Sequence, residues 1–161
     1  INSKEKNDLT QVWFNNGSVM LMKKSLMKKV NYFDDKYFLY FEESDFCLRA
    51  NKVNKNYQIN NIKVKHNVGS SVSINNYKEK KEIEKLRNWH FIWSKFYYYK
   101  KNYGFVYSLI YFIPTLLRVI FRIILYTLIR NSEKREKYLI RFNGLLSSIK
   151  GMKSYKRINN K

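Results

Sequence analysis

The 161-residue chain carries 32 Lys and Arg against 12 Asp and Glu, a net charge of +20, with 45% hydrophobic and 17% aromatic residues. That apolar and aromatic content excludes disorder throughout, and the length fits one modest domain, or part of a domain with an appendage. The single cysteine, Cys47, excludes an internal disulfide and fits a reducing cytoplasm. With His66 and His90 as the only histidines, a structural zinc site is excluded as well. No basic segment leading into an apolar run follows Ile1, so no secretory signal is read, and the sequence is read as starting inside a longer protein. Residues 1–76 hold twelve Lys/Arg and seven Asp/Glu; residues 77–161 hold twenty and five. Abundant Lys, Asn, Ile, Tyr and Phe suggest an AT-rich genome, which explains many lysines but not their concentration in the second half. A basic excess of this kind points to an anionic partner: membrane, nucleic acid or phosphorylated ligand.

Residues 1–10 read as a polar loop. Val19 to Met22 is a short apolar run after Gly17, which predicts a buried strand. Ser25 is placed to cap a short helix ending at Val30, and Asp34-Asp35 marks a turn. Glu42 to Val53 predicts a helix, with acids at its start and Phe46, Ala50 and Val53 at helical spacing. Tyr57 to His66 predicts a strand with Ile62, Val64 and His66 on one face. Residues 77–103 predict a helix that is charged and then aromatic. Phe105 to Ile129 is strongly apolar with Pro114 inside it, and residues 130–161 are basic and partly helical. No internal repeat is visible.

The stretch that carries chemistry runs from Phe33 to Arg49, with Glu42, Glu43 and Asp45 clustered at a helix start. Helical neighbours differ by about 100°, so Glu42 and Glu43 are expected to point apart, one into a cleft and one to solvent or a cap. Asp45 and Arg49 are spaced for a local ion pair. An acidic first turn is also what a purely structural helix start carries.

Gly17-Ser18-Val19-Met20-Leu21-Met22, then Phe33-Asp34 with Phe38-Leu39-Tyr40, then Glu42-Glu43-Ser44-Asp45 and Arg49 resemble, in order and spacing, the bacterial family 2 glycosyltransferases, especially their rhamnosyltransferase-like branch. Val64-Lys65-His66 before Gly69-Ser70-Ser71, and Arg87-Asn88 at a helix opening, extend the resemblance over roughly residues 12–100. It implies an α/β chain: the C-terminal part of a GT-A nucleotide-diphospho-sugar transferase, with residues 1–76 as the acceptor-side half of the catalytic domain and 77–161 as a basic, membrane-associated helical tail. It implies an inverting hexosyltransferase in surface-polysaccharide synthesis, with Glu43 as the general base where most relatives have Asp. Trp13, Asn16, Glu42, Asp45 and Arg49 would serve donor or acceptor binding. His66 would complete a divalent metal site (Mg or Mn) held mainly by an Asp-x-Asp motif in the nucleotide-binding half, which this chain lacks, so the chain alone would be inactive. The partners implied are a nucleotide-sugar donor and a lipid-linked glycan acceptor.

Phe105 to Ile129 is long enough to cross a bilayer, but Arg118 and Arg122 near mid-span each cost about 2.5–3.5 kcal/mol on insertion. Ser108, Tyr111, Thr115, Arg118, Arg122 and Tyr126 form a narrow polar stripe on an otherwise apolar helix. That favours a helix lying in the cytoplasmic face of the membrane, with Arg118 and Arg122 at the headgroups; packing against the catalytic domain or in a dimer is the competing reading. A nucleic-acid-binding module is the alternative that +20 and interleaved aromatics raise. The lack of a recognition motif, and the acidic cluster, weigh against it. A non-catalytic membrane adaptor is a further alternative.

Overall fold

The computed structural model describes residues 8–66 and 76–157. In chain order they form β1 (Leu9–Val12), α1 (Lys24–Lys29), α2 (Glu42–Asn51), β2 (Asn56–Ile59), α3 (Tyr77–Tyr103), α4 (Phe105–Leu128) and α5 (Ser132–Ile149). Among the described residues helix dominates, and the sheet has two strands. At that coarse level the chain is α and β with a helical C-terminal part. Contacts divide it into two units, residues 1–35 with 42–73 and residues 36–41 with 74–161.

In the first unit β1 and β2 pair antiparallel, Leu9 opposite Ile59 and Val12 opposite Asn56. The strand expected to reach His66 stops at Ile59. One further bond, from the Asn60 N–H to the Asp8 carbonyl, closes the ladder. Beyond it the described partner strand has ended, and residues 60–66 run exposed and irregular. The segment expected as a buried strand, Val19 to Met22, has no ladder among the described residues. It keeps only the period of two: Met20 and Met22 pack on Val30, Phe46 and Ala50, while Val19 and Leu21 face solvent.

Helix α1 starts at Lys24, one residue before the expected cap Ser25, with Lys23 at the cap position and no side-chain cap bond. It ends where Asn31 and Tyr32 turn left-handed, with φ of 59° and 56°, and the Tyr32 N–H bonds back to the Met27 carbonyl at 2.8 Å. Asparagine tolerates that region; a bulky tyrosine there is strained. Arg49 of α2 holds the turn, donating to the Val30 carbonyl and, at 2.7 Å, to the Tyr32 carbonyl.

The second unit is built on α3, α4 and α5. Asn76 caps α3 by accepting from the Glu79 N–H, and Asn131 caps α5 by accepting from the Lys134 N–H. Gly104, at φ 94°, separates α3 from α4 in a conformation that disfavours a side chain. Ile92, Phe96, Phe112 and Leu145 form the core. Gly144 brings α5 onto α3: a Cβ there would sit 2.7 Å from the Trp89 carbonyl oxygen. Around that contact the Trp89 indole donates to Asn143 Oδ1 at 2.8 Å and the Ser148 hydroxyl to the Trp93 carbonyl at 2.9 Å. The chain after α5 returns along α3, where the Trp93 indole donates to the Met152 carbonyl. Segment 36–41 is fixed there too, since the Ser94 hydroxyl donates to the Leu39 carbonyl at 2.7 Å. Arg87 and Asn88, expected to open a helix, lie inside α3, eleven and twelve residues past its cap.

Candidate functional site

The first unit places its acidic motif by a match of periods. Residues 13–17 run extended along one face of α2, in the opposite direction. The Asn51 side-chain amide donates to the Trp13 carbonyl at 2.8 Å, the Asn15 N–H approaches Cys47 Sγ at 3.5 Å, and the Glu43 side chain lies over Gly17. Four residues of helix advance about 6 Å and two of extended chain about 6.6 Å, so every fourth residue of α2 meets every second residue of the segment. Glu43 reaches Gly17 because Cys47 and Asn51 share its face.

Gly17 is close enough to Glu43 to require the missing side chain. A Cβ would stand 2.8 Å from Glu43 Cγ and 2.9 Å from its Oε1. The Glu43 carboxyl is thus backed by main chain and half-buried. Glu42 was expected to diverge from it by the helical angle. Both are nonetheless half-buried at the start of α2, near enough for the Glu43 charge to act on Glu42. Burial chiefly, and then the neighbouring Glu43 carboxyl, push Glu42 above the ordinary carboxylate range, against a backbone hydrogen bond that lowers it. Its Oε2 is buried without a hydrogen-bond partner among the described residues. Burial also pushes the Cys47 thiol up, with the Glu43 charge adding to it and the Asn15 backbone bond opposing. A buried thiol held in that form is a poor nucleophile.

Asp45 and Arg49, expected to bind donor or acceptor, are committed to each other and to the fold. Arg49 Nε donates to Asp45 Oδ2 at 2.8 Å, the carboxylate is fully buried, and the rest of the guanidinium serves the α1 turn. They position α2. Trp13 is 78% exposed and offers its indole to solvent. Asn16 is exposed, and its side-chain oxygen accepts from the Ser18 N–H at 2.9 Å, shaping the turn through Gly17. His66, expected at a buried strand end, is exposed in irregular chain beyond β2. No group of three or more His, Cys, Asp or Glu among the described residues is placed to hold a metal ion. The Gly-Ser loop at 69–71 lies outside the described residues.

In the second unit Arg118 is exposed, whereas Arg122 is half-buried and donates to the Tyr126 hydroxyl at 3.0 Å. The structure therefore brings Gly17, Glu42 and Glu43 together at the start of α2, holds Trp13 two turns away at Asn51, and places His66 in no metal-ligating cluster among the described residues. Gly17 and Asn15 owe their importance to position alone. The clue for Gly17 was its place before the apolar run; Asn15 gave no sequence signal. No protein-family model, no curated protein and no solved structure matches the chain.

Proposed function

We propose that this chain is the acceptor-side part of an inverting, GT-A, family 2 bacterial glycosyltransferase, in which Glu43 accepts the proton of the acceptor hydroxyl. The observation that carries the reading is the Glu43 carboxyl lying half-buried over Gly17, with Glu42 raised beside it. In the reaction the acceptor oxygen bonds to the anomeric carbon as the bond to the nucleoside diphosphate breaks. The hydroxyl proton passes to a Glu43 oxygen. Gly17 backs that carboxyl at close range. Trp13 gives a flat apolar face suited to a sugar ring, and Asn16 a polar neighbour. Asp45 and Arg49 hold the helix that presents the base. A divalent cation would neutralise charge on the departing diphosphate; its ligands belong mainly to the nucleotide-binding half, with His66 as this chain's contribution. The acceptor is a lipid-linked glycan at the cytoplasmic membrane face.

The test starts from the coding sequence that precedes Ile1. On this reading it contains, in frame, a strand followed by Asp-x-Asp, and the polypeptide carrying both halves transfers sugar from a nucleotide donor. Glu43→Gln in that protein abolishes transfer and leaves its thermal midpoint unchanged. Near-normal turnover of Glu43→Gln overturns the assignment of the base. A two-half protein that is folded but inactive with Glu43 intact favours the non-catalytic adaptor.

A further inference from the structure

Helix α4 is apolar on the side that faces away from its own unit. At 100° per residue, Ser108, Phe112, Val119 and Tyr126 fall together on one side, and all four are buried. That side packs on α3 and α5. The opposite side carries Ile110, Ile113, Leu117, Phe121, Ile124 and Leu128, and every one is exposed. Leu117 stands 62%, Phe121 60% and Leu128 75% accessible. The helix is apolar on both sides: Phe112 and Val119 lie inward beside Ser108 and Tyr126, and an apolar stripe lies outward along the whole helix. A continuous exposed stripe of this length marks a surface that another phase or partner covers.

Charge identifies the occupant. Residues 86–132 contain seven Lys and Arg and no Asp or Glu. Arg118, on the rim of the stripe, and Arg130, just past the helix end, are exposed. At the N-terminal end, Tyr99, Tyr103, Tyr107 and Tyr111 form a run of ring contacts 4.3–6.2 Å apart that spans the α3–α4 junction. Aliphatic side chains flanked by cations and tyrosines match the layers of an anionic bilayer surface: acyl boundary, interface and headgroups. A second basic copy would bring like charges together.

Helix α4 is also long and apolar enough to cross a membrane. Its inner side, however, is occupied by α3 and α5, both of which carry charged residues, so lipid cannot surround it. We infer that the outward stripe of α4 docks in the plane of an anionic lipid bilayer, entering only to the acyl boundary. The inference uses the second unit alone and does not depend on the glycosyl-transfer reading.

The experiment is co-sedimentation of the full chain with phosphatidylcholine vesicles, with and without about one-third phosphatidylglycerol. The chain is expected to sediment with the anionic vesicles, and Leu117→Glu with Phe121→Glu to lower partitioning by at least about tenfold. Both positions are exposed, so helicity by circular dichroism should not change. A second variant, Arg118→Glu with Arg130→Glu, leaves the stripe intact and is expected to lose the preference for anionic over neutral vesicles. Fluorophores on Ile113→Cys and Ile124→Cys, eleven residues apart, should report equal depth, whereas a spanning helix would separate them by about 16 Å. Failure to sediment, partitioning indifferent to the Leu117/Phe121 pair, equal binding to neutral vesicles, unequal depths, or a lipid-free dimer that the pair dissociates would each overturn the inference.

Discussion

Gly17 and Glu43 touch across 26 residues of sequence, so closely that no other amino acid fits at position 17 without moving the carboxyl. The contact is a product of two periods running in opposite directions. It ties the orientation of one acidic side chain to the absence of a methyl group on another element. Glu42, next in sequence, meets no such constraint and settles with one carboxyl oxygen buried and unpartnered.

Gly17→Ala therefore separates stability from activity. Position 17 is not left-handed, so alanine introduces no backbone strain. The lower entropy of the unfolded chain even favours it by about 0.4–1 kcal/mol. The new Cβ must displace the Glu43 side chain, since 2.8 Å is inside contact distance. In the two-half transferase the expected outcome is a folding free energy within about 1 kcal/mol of the parent and transfer reduced by about 10- to 100-fold. Denaturant titration and initial rates on the same preparation check it. Unchanged rates would show that the Glu43 carboxyl is not held in place for chemistry.

Arg49 is expected to matter to folding rather than to reaction. It satisfies a fully buried carboxylate and two carbonyls of the strained Asn31–Tyr32 turn. Arg49→Ala leaves those acceptors short of a donor, a loss of about 2–3 kcal/mol. Arg49→Lys, with one ammonium in place of a planar fork, should restore less than half of it. In Asp45→Asn with Arg49→Ala the two losses should be less than additive, because both remove one interaction. Urea melts of the parent, Arg49→Ala, Arg49→Lys, Asp45→Asn and the double variant measure this. A loss below about 0.5 kcal/mol for Arg49→Ala would assign the turn's stability elsewhere.

The helices were legible because their signals are local. Residues 77–103 run from charged to aromatic and 105–129 is strongly apolar, whereas the caps Asn76 and Asn131 emerge only in the structure. The acidic start of α2 was legible for the same reason. The sheet was not. Leu9–Val12 buries neither face, so its alternation carries no hydrophobic signal, and the length of β2 depends on a partner 44 to 50 residues away. The polar stripe of α4 was visible as a pattern, but which side of it faces α3 and α5 depends on those helices and not on α4. The site was legible as a motif and not as a geometry. Nothing local to Trp13-Phe14-Asn15-Asn16-Gly17 announces that it will lie antiparallel along Asn51, Cys47 and Glu43. Asp45 and Arg49 looked functional because charge at a helix start is ambiguous until burial is known; full burial of the carboxylate resolves it toward structure.

His90 gives the second unit a dependence on pH whose direction follows from its contacts. The ring is fully buried between Phe38 and Trp89. The Lys156 carbonyl, 2.8 Å from Nε2, can only accept, so Nε2 carries the hydrogen; Nδ1 then accepts from the Ser154 hydroxyl at 3.2 Å. One neutral tautomer satisfies both partners. Burial first, and then the charges of Arg157 and Lys156, pull the imidazole below its ordinary 6.5, while the bond to the Lys156 carbonyl opposes them. The unfolded chain takes up a proton near 6.5 and the folded one only at lower pH. Stability from this residue is thus complete above pH 6.5, declines as pH falls from there through the folded value, and changes no further below it. Glu84 and Glu136 are held below their ordinary 4.5 by Lys137 and Lys85 respectively, so their contributions fade only at more acid pH. Between pH 7 and 5 His90 pulls the thermal midpoint of the parent protein down, against Glu42, whose raised folded value makes the folded chain take up that proton first and so adds stability as pH falls. In His90→Gln, where the amide can still donate to the Lys156 carbonyl, the midpoint should fall by visibly less even if the starting midpoint is lower. Parallel slopes in the two proteins would mean that His90 is not the group being titrated.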